Sequence, residues 1–399
     1  MANTITFSVI GEPTGDLLKL IDEFQQIRNV QVRVEQMEWE DAWPKLLSYA
    51  LSGKSPDVSH VGSTWVSSLV GMNAARKFSQ QEVAAMGGSK VFVQPAWQSA
   101  VIDDAIYSIP WSSFTFLVYY RRDHLKAAGI SEEHAFDTAE DFHKSVQILK
   151  ENKAISPLIL PSGRPFLDRI HMATSWMWGA GGDYFSADGR QVLLNSPETR
   201  AGLKSFFGLY HLMSPDDYQL DYDQTLERFA QGSASVIIAD CGFPSIIQQQ
   251  NPDLVENVGV HPLPGVPFVS GDNLIIWQET RHAPDRERIA LDLVSFLVSE
   301  TAQRRFCQSL EQFPVRHDSF DALNSPIEHL IPMLKETFEN GRSYKPIHLW
   351  SRYEQQLGFT FDDITNDVIT KMDLPIDSVL EIHLSRLQQR FSLLTGDAK

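Results

Sequence analysis

The chain has 399 residues, enough for roughly two to three domains, and its 43% hydrophobic and 21% charged residues are the balance of an ordinary globular protein. A net charge of −17, from 34 Lys and Arg against 51 Asp and Glu, argues against a phosphate-tracking nucleic-acid surface and against adhesion to anionic lipid. Two cysteines, Cys241 and Cys307, cannot build a disulfide framework or a four-cysteine zinc site, and no apolar run is long enough to span a bilayer. No charged-then-apolar leader precedes Thr4. The Met1-Ala2 start reads equally as a cytosolic start or as one from which an export signal has been removed.

In chain order, Ile5 to Ile10 alternates as a first strand, and Leu17, Leu20, Ile21, Phe24 and Ile27 recur at helical spacing. Val30, Val32 and Val34 alternate as a second strand. Trp43, Leu46, Leu47, Ala50 and Leu51 line a second helix, and Asp57 to Val61 begins a third strand. The order β-α-β-α-β predicts a parallel open sheet wrapped by helices, in which ligands bind beyond the carboxyl ends of the strands. Glu12, Trp39 and the run Ser63-Thr64-Trp65 follow those strands. Tyr107 to Asp123 comes next: Pro110 should interrupt pairing, Phe114 to Tyr120 reads as a buried strand, and its place between two α/β regions fits a hinge.

Beyond it, a helix around Phe142 to Leu149 leads to a short apolar strand, Pro157 to Pro161. Trp176 to Gly182 reads as the glycine-rich end of a helix, Asp183 to Gly189 as a turn, and Ser196-Pro197-Glu198 as a helix start. Phe229 to Gly232 stops another helix before the strand Ala234 to Asp240. Residues 259–271, rich in proline and glycine, form a second candidate crossover, and Leu274 to Trp277 reads as a strand. Ile289, Leu293, Phe296 and Leu297 make a helix face, Gln312 to Arg316 a third short connection, and Leu380 to Leu394 the last helix.

Catalytic fingerprints fail. Gly53-Lys54-Ser55 resembles the end of a phosphate loop, but Ser48 stands where the first glycine is needed. His-Glu-x-x-His, Gly-x-Ser-x-Gly and Gly-x-Gly-x-x-Gly are absent from their expected places, Asp183 to Gly189 lacks the donors of a calcium loop, and the histidines show no ligand spacing. No metal or cofactor is expected. The positive signal is aromatic: of nine tryptophans, Trp39, Trp65, Trp111, Trp178 and Trp350 fall at expected strand ends or loops. An aromatic face beside polar hydrogen-bonding groups suits a sugar ring, flat and apolar on its C–H faces and rimmed by hydroxyls.

The chain resembles the extracellular solute-binding proteins of ABC sugar importers, the class that includes maltodextrin-binding proteins. The resemblance rests on Pro56-Asp57-Val58 with Gly62 to Val66, Tyr107-x-Ile-Pro-Trp111 running to Tyr119 to Asp123, and Gly181-Gly182 with Leu194 to Glu198. It continues through Phe229-Ala-Gln-Gly232, Pro262 to Gly265 with Gly271, Phe296 to Glu300 with Gln303, and Pro314-Val-Arg316. It implies a two-lobed α/β fold, each lobe with its own sheet, joined by hinge crossovers near 112–116, 264–272 and 314–320. Residues 1–113 and 270–315 would form the N-terminal lobe, and 117–265 with 320–399 the C-terminal lobe, with a ligand cleft between them. Carried over by position, Glu12, Trp39, Ser63, Trp65 and Trp111 would come from the first lobe. Asp168, His171, Asp183, Asp240, Phe243 and Trp350 would come from the second, and Asp272 and Arg316 would lie beside crossovers. The aromatics would stack on sugar, and the carboxylates and Arg316 would bind hydroxyls.

The resemblance further implies a non-enzymatic, monomeric receptor that captures a carbohydrate, an oligosaccharide by preference, closes on it and delivers it to a membrane permease. Another solute (a polyol, a glycerophosphodiester or a polyamine) and a carbohydrate-active enzyme are the alternatives. The expected location is periplasmic or extracellular, free or lipid-anchored, with the export signal already removed. One departure stands out: where the family often carries Asp-Thr, this chain has Phe114-Thr115. The resemblance also puts Cys241 and Cys307 in different lobes, as two free thiols.

Overall fold

The computed structural model describes residues 4–152, 155–309, 313–322 and 330–395; Gln312, read as the start of a connection, lies outside them. Among the described residues the strands are β1 (Thr4–Ile10), β2 (Gln31–Met37), β3 (Val58–Gly62), a two-residue pair β4 (Val101–Ile102) and β5 (Ala105–Ile106), β6 (Ile109–Phe114), β7 (Phe116–Arg121), β8 (Val236–Asp240), β9 (Val258–Pro262) and β10 (Ser270–Ile276). The chain divides into two compact units. The first takes residues 1–114, 269–339 and 343–351; the second takes 115–268, 340–342 and 352–399. The chain changes unit after Phe114 and after Phe268, but residues 314–320 stay in the first unit and the next change follows Glu339. Residues 330–339 and 343–351, expected in the second lobe, also belong to the first unit.

In the first unit the sheet order is β2-β1-β3-β10-β6. β1 runs parallel to β2 and β3, whereas β10 is antiparallel to both β3 and β6, so the expected all-parallel sheet is mixed. Helix α1 (Gly15–Arg28) is capped by Thr14, whose hydroxyl accepts the Leu17 N–H, and it buries Leu17, Leu20, Ile21 and Phe24. Its last apolar residue, Ile27, is exposed instead, as is Leu51 at the end of helix α2 (Trp39–Ser52). Both lie in the final turns of their helices.

The stretch read as one buried strand from Phe114 is two strands, β6 and β7, one in each unit, with Thr115 between them. Pro110 does not end the pairing. It lies within β6, an edge strand, where the register against β10 slips between Asp272 and Asn273 and leaves Trp111 unpaired. A bulge on an edge strand tolerates a residue that cannot donate.

In the second unit β7 is flanked antiparallel by β8 and β9. The expected strand Pro157 to Pro161 contributes one isolated parallel bridge, at Ile159, with another at Ser156 just before it, since neither proline has an N–H to give a ladder. The helices Arg169–Gly179 and Pro197–Gly208 pack against one another across Gly202, where any side chain would collide with the Met177 backbone.

Cys241 and Cys307 lie buried in different units, and burial raises both thiols' pKa. A thiol-titrating dye should therefore find neither in the native protein and both after denaturation in guanidinium. A prompt native reaction, or none after denaturation, would contradict this.

Candidate functional site

Because β1, β2 and β3 are parallel, their carboxyl ends share one edge of the first unit's sheet. Each is followed by a predicted site residue. After β1 the chain turns at Gly11, whose φ of 77° favours glycine, and Glu12 projects exposed with no polar partner among the described residues. After β2, Trp39 opens α2 with 46% of its surface exposed. After β3 a single turn carries Ser63 and the half-buried Trp65. Trp65 meets Trp39 edge-on at 5.9 Å and Trp43 at 5.7 Å, which makes a continuous aromatic group. The Ser63 hydroxyl is 2.9 Å from that of Ser270, and strand pairing sets Asp272 opposite Gly62. Asp272 accepts a 2.9 Å hydrogen bond from the Ser112 hydroxyl and stands 3.2 Å from His60 Nε2.

Three other expected residues of this unit serve its core. Trp111, turned inward by the bulge, is 1% exposed and stacks on Phe306 at 4.3 Å. Arg316 is spent on protein acceptors: it pairs with Asp318 at 2.7 Å and donates to the carbonyls of Met86 and Val298. Trp350 belongs to this unit rather than the second and is buried against Tyr344 at 4.5 Å.

In the second unit, Asp168 precedes the helix Arg169–Gly179, and His171 Nε2 lies 3.6 Å from its carboxylate and 4.0 Å from that of Glu354. His171 is stacked on Phe268 at 4.4 Å, and burial pushes its pKa down to about 3, so it is neutral. Asp240 closes β8 and accepts from Tyr222 Oη at 2.6 Å and from the Gly242 N–H at 2.7 Å. Burial raises its pKa. Asp168 is pushed up to about 6 by desolvation and then by the charge of Asp240. Its side chain keeps 60% of its surface exposed, so protein surrounds the carboxylate without sealing it, and water screens part of that repulsion.

An unfolded aspartate titrates near 3.9, so below about pH 4 Asp168 is protonated in both states and contributes nothing. Between about pH 4 and 6 the unfolded chain releases its proton first and stability falls as pH rises; above about pH 6 the full cost is in place. Asp168→Asn should leave the melting temperature unchanged near pH 4 and raise it by roughly 2 °C near pH 7.5. Equal shifts at both pH values in calorimetry would rule Asp168 out as the source.

Asp183 and Phe243 both have partners within the second unit. The Asp183 carboxylate is held by Arg342, Trp178 Nε1 and the Tyr184 N–H, while Arg342 lies 4.5 Å over the Trp178 ring. Phe243 is fully buried against Tyr119 and Phe229. Sequence reading missed His60, Trp43, Tyr222 and the serines at 112 and 270. The place of His60 near the end of a strand was the only signal available for it.

The profile of the bacterial extracellular solute-binding protein family matches residues 19–328, and the chain belongs to that family. Its fold is that of the two-lobed sugar-binding receptors of ABC transporters. The sugar-binding protein MalE from Xanthomonas citri superposes with a TM-score of 0.84 at 18% identity, covering 100% of both chains. Maltose-bound MalE3 of T. maritima gives 0.79 at 18% identity over 97% of this chain and 99% of that one. An ABC transporter solute-binding protein from Agrobacterium radiobacter K84, in complex with ribitol, gives 0.73 at 20% identity over 97% and 98%. Among curated proteins nothing matches. No described helix is long and apolar enough to cross a membrane.

Proposed function

We propose that this protein is the substrate-binding component of an ABC transporter that captures a carbohydrate, an oligosaccharide by preference, by hinge closure and delivers it to a membrane permease. The observation that carries the reading is the exposed Trp39 joined to Trp65 and Trp43 at the carboxyl ends of three parallel strands, next to the Ser63 hydroxyl and the Asp272 carboxylate. An aromatic platform with flanking acceptors presents a ring face and binds the hydroxyls at its rim. In the second unit, Asp168, Asp240 and Tyr222 are the polar groups proposed to meet ligand. The receptor works as a monomer, in the periplasm or tethered outside the membrane, and leaves its ligand chemically unchanged. A polyol is the second reading, favoured by the ribitol complex of the Agrobacterium relative.

A thermal-shift screen over mono- and oligosaccharides, polyols and phosphodiesters tests this. A ligand at a hundred times its dissociation constant adds roughly 2.7 kcal/mol, a displacement easily read. Stabilisation by an oligosaccharide recovered intact after long incubation is expected. A response confined to polyols would move the second reading first, and release of reducing sugar would replace both with an enzyme.

A further inference from the structure

His60, on β3, is 5% exposed. Nδ1 accepts the Ile10 N–H at 3.1 Å. A ring nitrogen that accepts carries no proton, so the neutral imidazole holds its proton on Nε2. Trp111 stands edge-on at 5.0 Å and Trp39 at 5.9 Å, which fixes the plane of the ring. Nε2 is buried 3.2 Å from Asp272 Oδ2, yet its N–H is not aligned on that oxygen and makes no hydrogen bond. Asp272 is itself 4% exposed, and its Oδ2 takes the Ser112 hydroxyl at 2.9 Å. Among the described residues no lysine or arginine pairs with it, and the donors that face it are the Ser112 hydroxyl and, 3.2 Å away, the His60 Nε2–H. A carboxylate buried this deeply needs donors around it if it is to keep its orientation.

The geometry points to His60 as a positioning residue of the binding site: its ring, fixed by the Ile10 N–H and by Trp111 and Trp39, backs Asp272 with its Nε2–H dipole while the Ser112 hydroxyl holds Oδ2, so that Oδ1 is the acceptor for one ligand hydroxyl beside Trp39. This rests on the carbohydrate reading and adds a specificity determinant to it, because an acceptor held in this way takes a hydroxyl and gains nothing from a ligand lacking one at that point.

Two measurements test it. Long-range proton–nitrogen spectra of 15N-histidine-labelled wild-type protein, with His60 assigned by its loss in His60→Gln, should show Nε2 protonated and Nδ1 as acceptor near pH 8. A proton on Nδ1 overturns the proposal whether or not any sugar binds. In calorimetric titrations with maltose and maltotriose, and with any other sugar that stabilises the wild type, His60→Leu and Asp272→Asn should each raise Kd about tenfold or more. The double variant should be no weaker than the worse single one, and His60→Gln, which keeps a donor, should stay within about threefold of wild type. Unchanged affinity in His60→Leu, or losses that multiply in the double variant, overturns the proposal. If the wild type binds no sugar at all, the carbohydrate reading falls, and the spectra alone then judge the placement of His60.

Discussion

Arg169→Ala should destabilise the second unit by about 3–5 kcal/mol, the cost of stripping one partner from a buried ion pair. Arg169 is fully buried, and all three of its nitrogens are engaged: Nη1 with Asp362, Nε with Tyr210 Oη at 3.0 Å, and Nη2 with the Pro161 carbonyl at 3.1 Å. Asp362 is 3% exposed, and its remaining partner is the Phe166 N–H at 3.3 Å, so truncating Arg169 strands a charge that water cannot reach. Removing both charges together, as Arg169→Met with Asp362→Leu, should cost much less than Arg169→Ala alone. Urea denaturation followed by circular dichroism measures this; a loss below about 1 kcal/mol in the single variant would show that the pair is not buried as described. Arg169 also begins the helix that Asp168 precedes and His171 occupies, two residues that the sequence led us to expect at the ligand.

Trp65→Ala should weaken sugar binding by about 2 kcal/mol, roughly 30-fold in Kd, while Trp111→Ala acts chiefly on stability, at about 3–5 kcal/mol. The contrast follows from their surroundings. Trp65 is half-buried and packed edge-on into an aromatic group that reaches the surface through Trp39, whereas Trp111 fills the core between Phe306, Phe7 and His60. Titration of both variants by intrinsic fluorescence, each paired with a melting curve, separates the two effects. Loss of affinity in Trp111→Ala with an unaltered melting temperature would reverse the assignment.

The two tryptophans also show where sequence is informative. The position of Trp65 was legible because it follows a strand that alternation and the β-α-β-α-β order place among parallel neighbours, and a residue after such a strand lands at the carboxyl edge of the sheet. Trp111 looked equivalent, since it too stands beside a proline at an apparent strand boundary. What separates them is a one-residue slip between β6 and β10, whose partners are more than 150 residues apart in sequence. The partners of Arg316 were hidden for a similar reason: its acceptors Met86, Val298 and Asp318 come from three separate stretches of chain, and a lone arginine carries no mark of them. His60 stayed hidden because a buried histidine near a strand end looks like any core polar residue until the Asp272 carboxylate is brought up to it by β10. Periodicity records what a residue does within its own element; it is silent on partners supplied by distant ones.

The position of β10 has a bearing on how the chain comes to be folded at all. It fills the gap between β3 and β6, yet it is made only after the strands of the other unit have been completed. Until synthesis reaches Ile276, β6 has no neighbouring strand and β3 offers an open edge. The first unit therefore begins earliest and finishes late, and its closing step is a non-local pairing of the kind that sets slow folding rates. For that interval the nascent chain holds three parallel strands and an unpaired ribbon, accessible to any factor that binds extended polypeptide. A fragment ending at Phe114 would stay in that state.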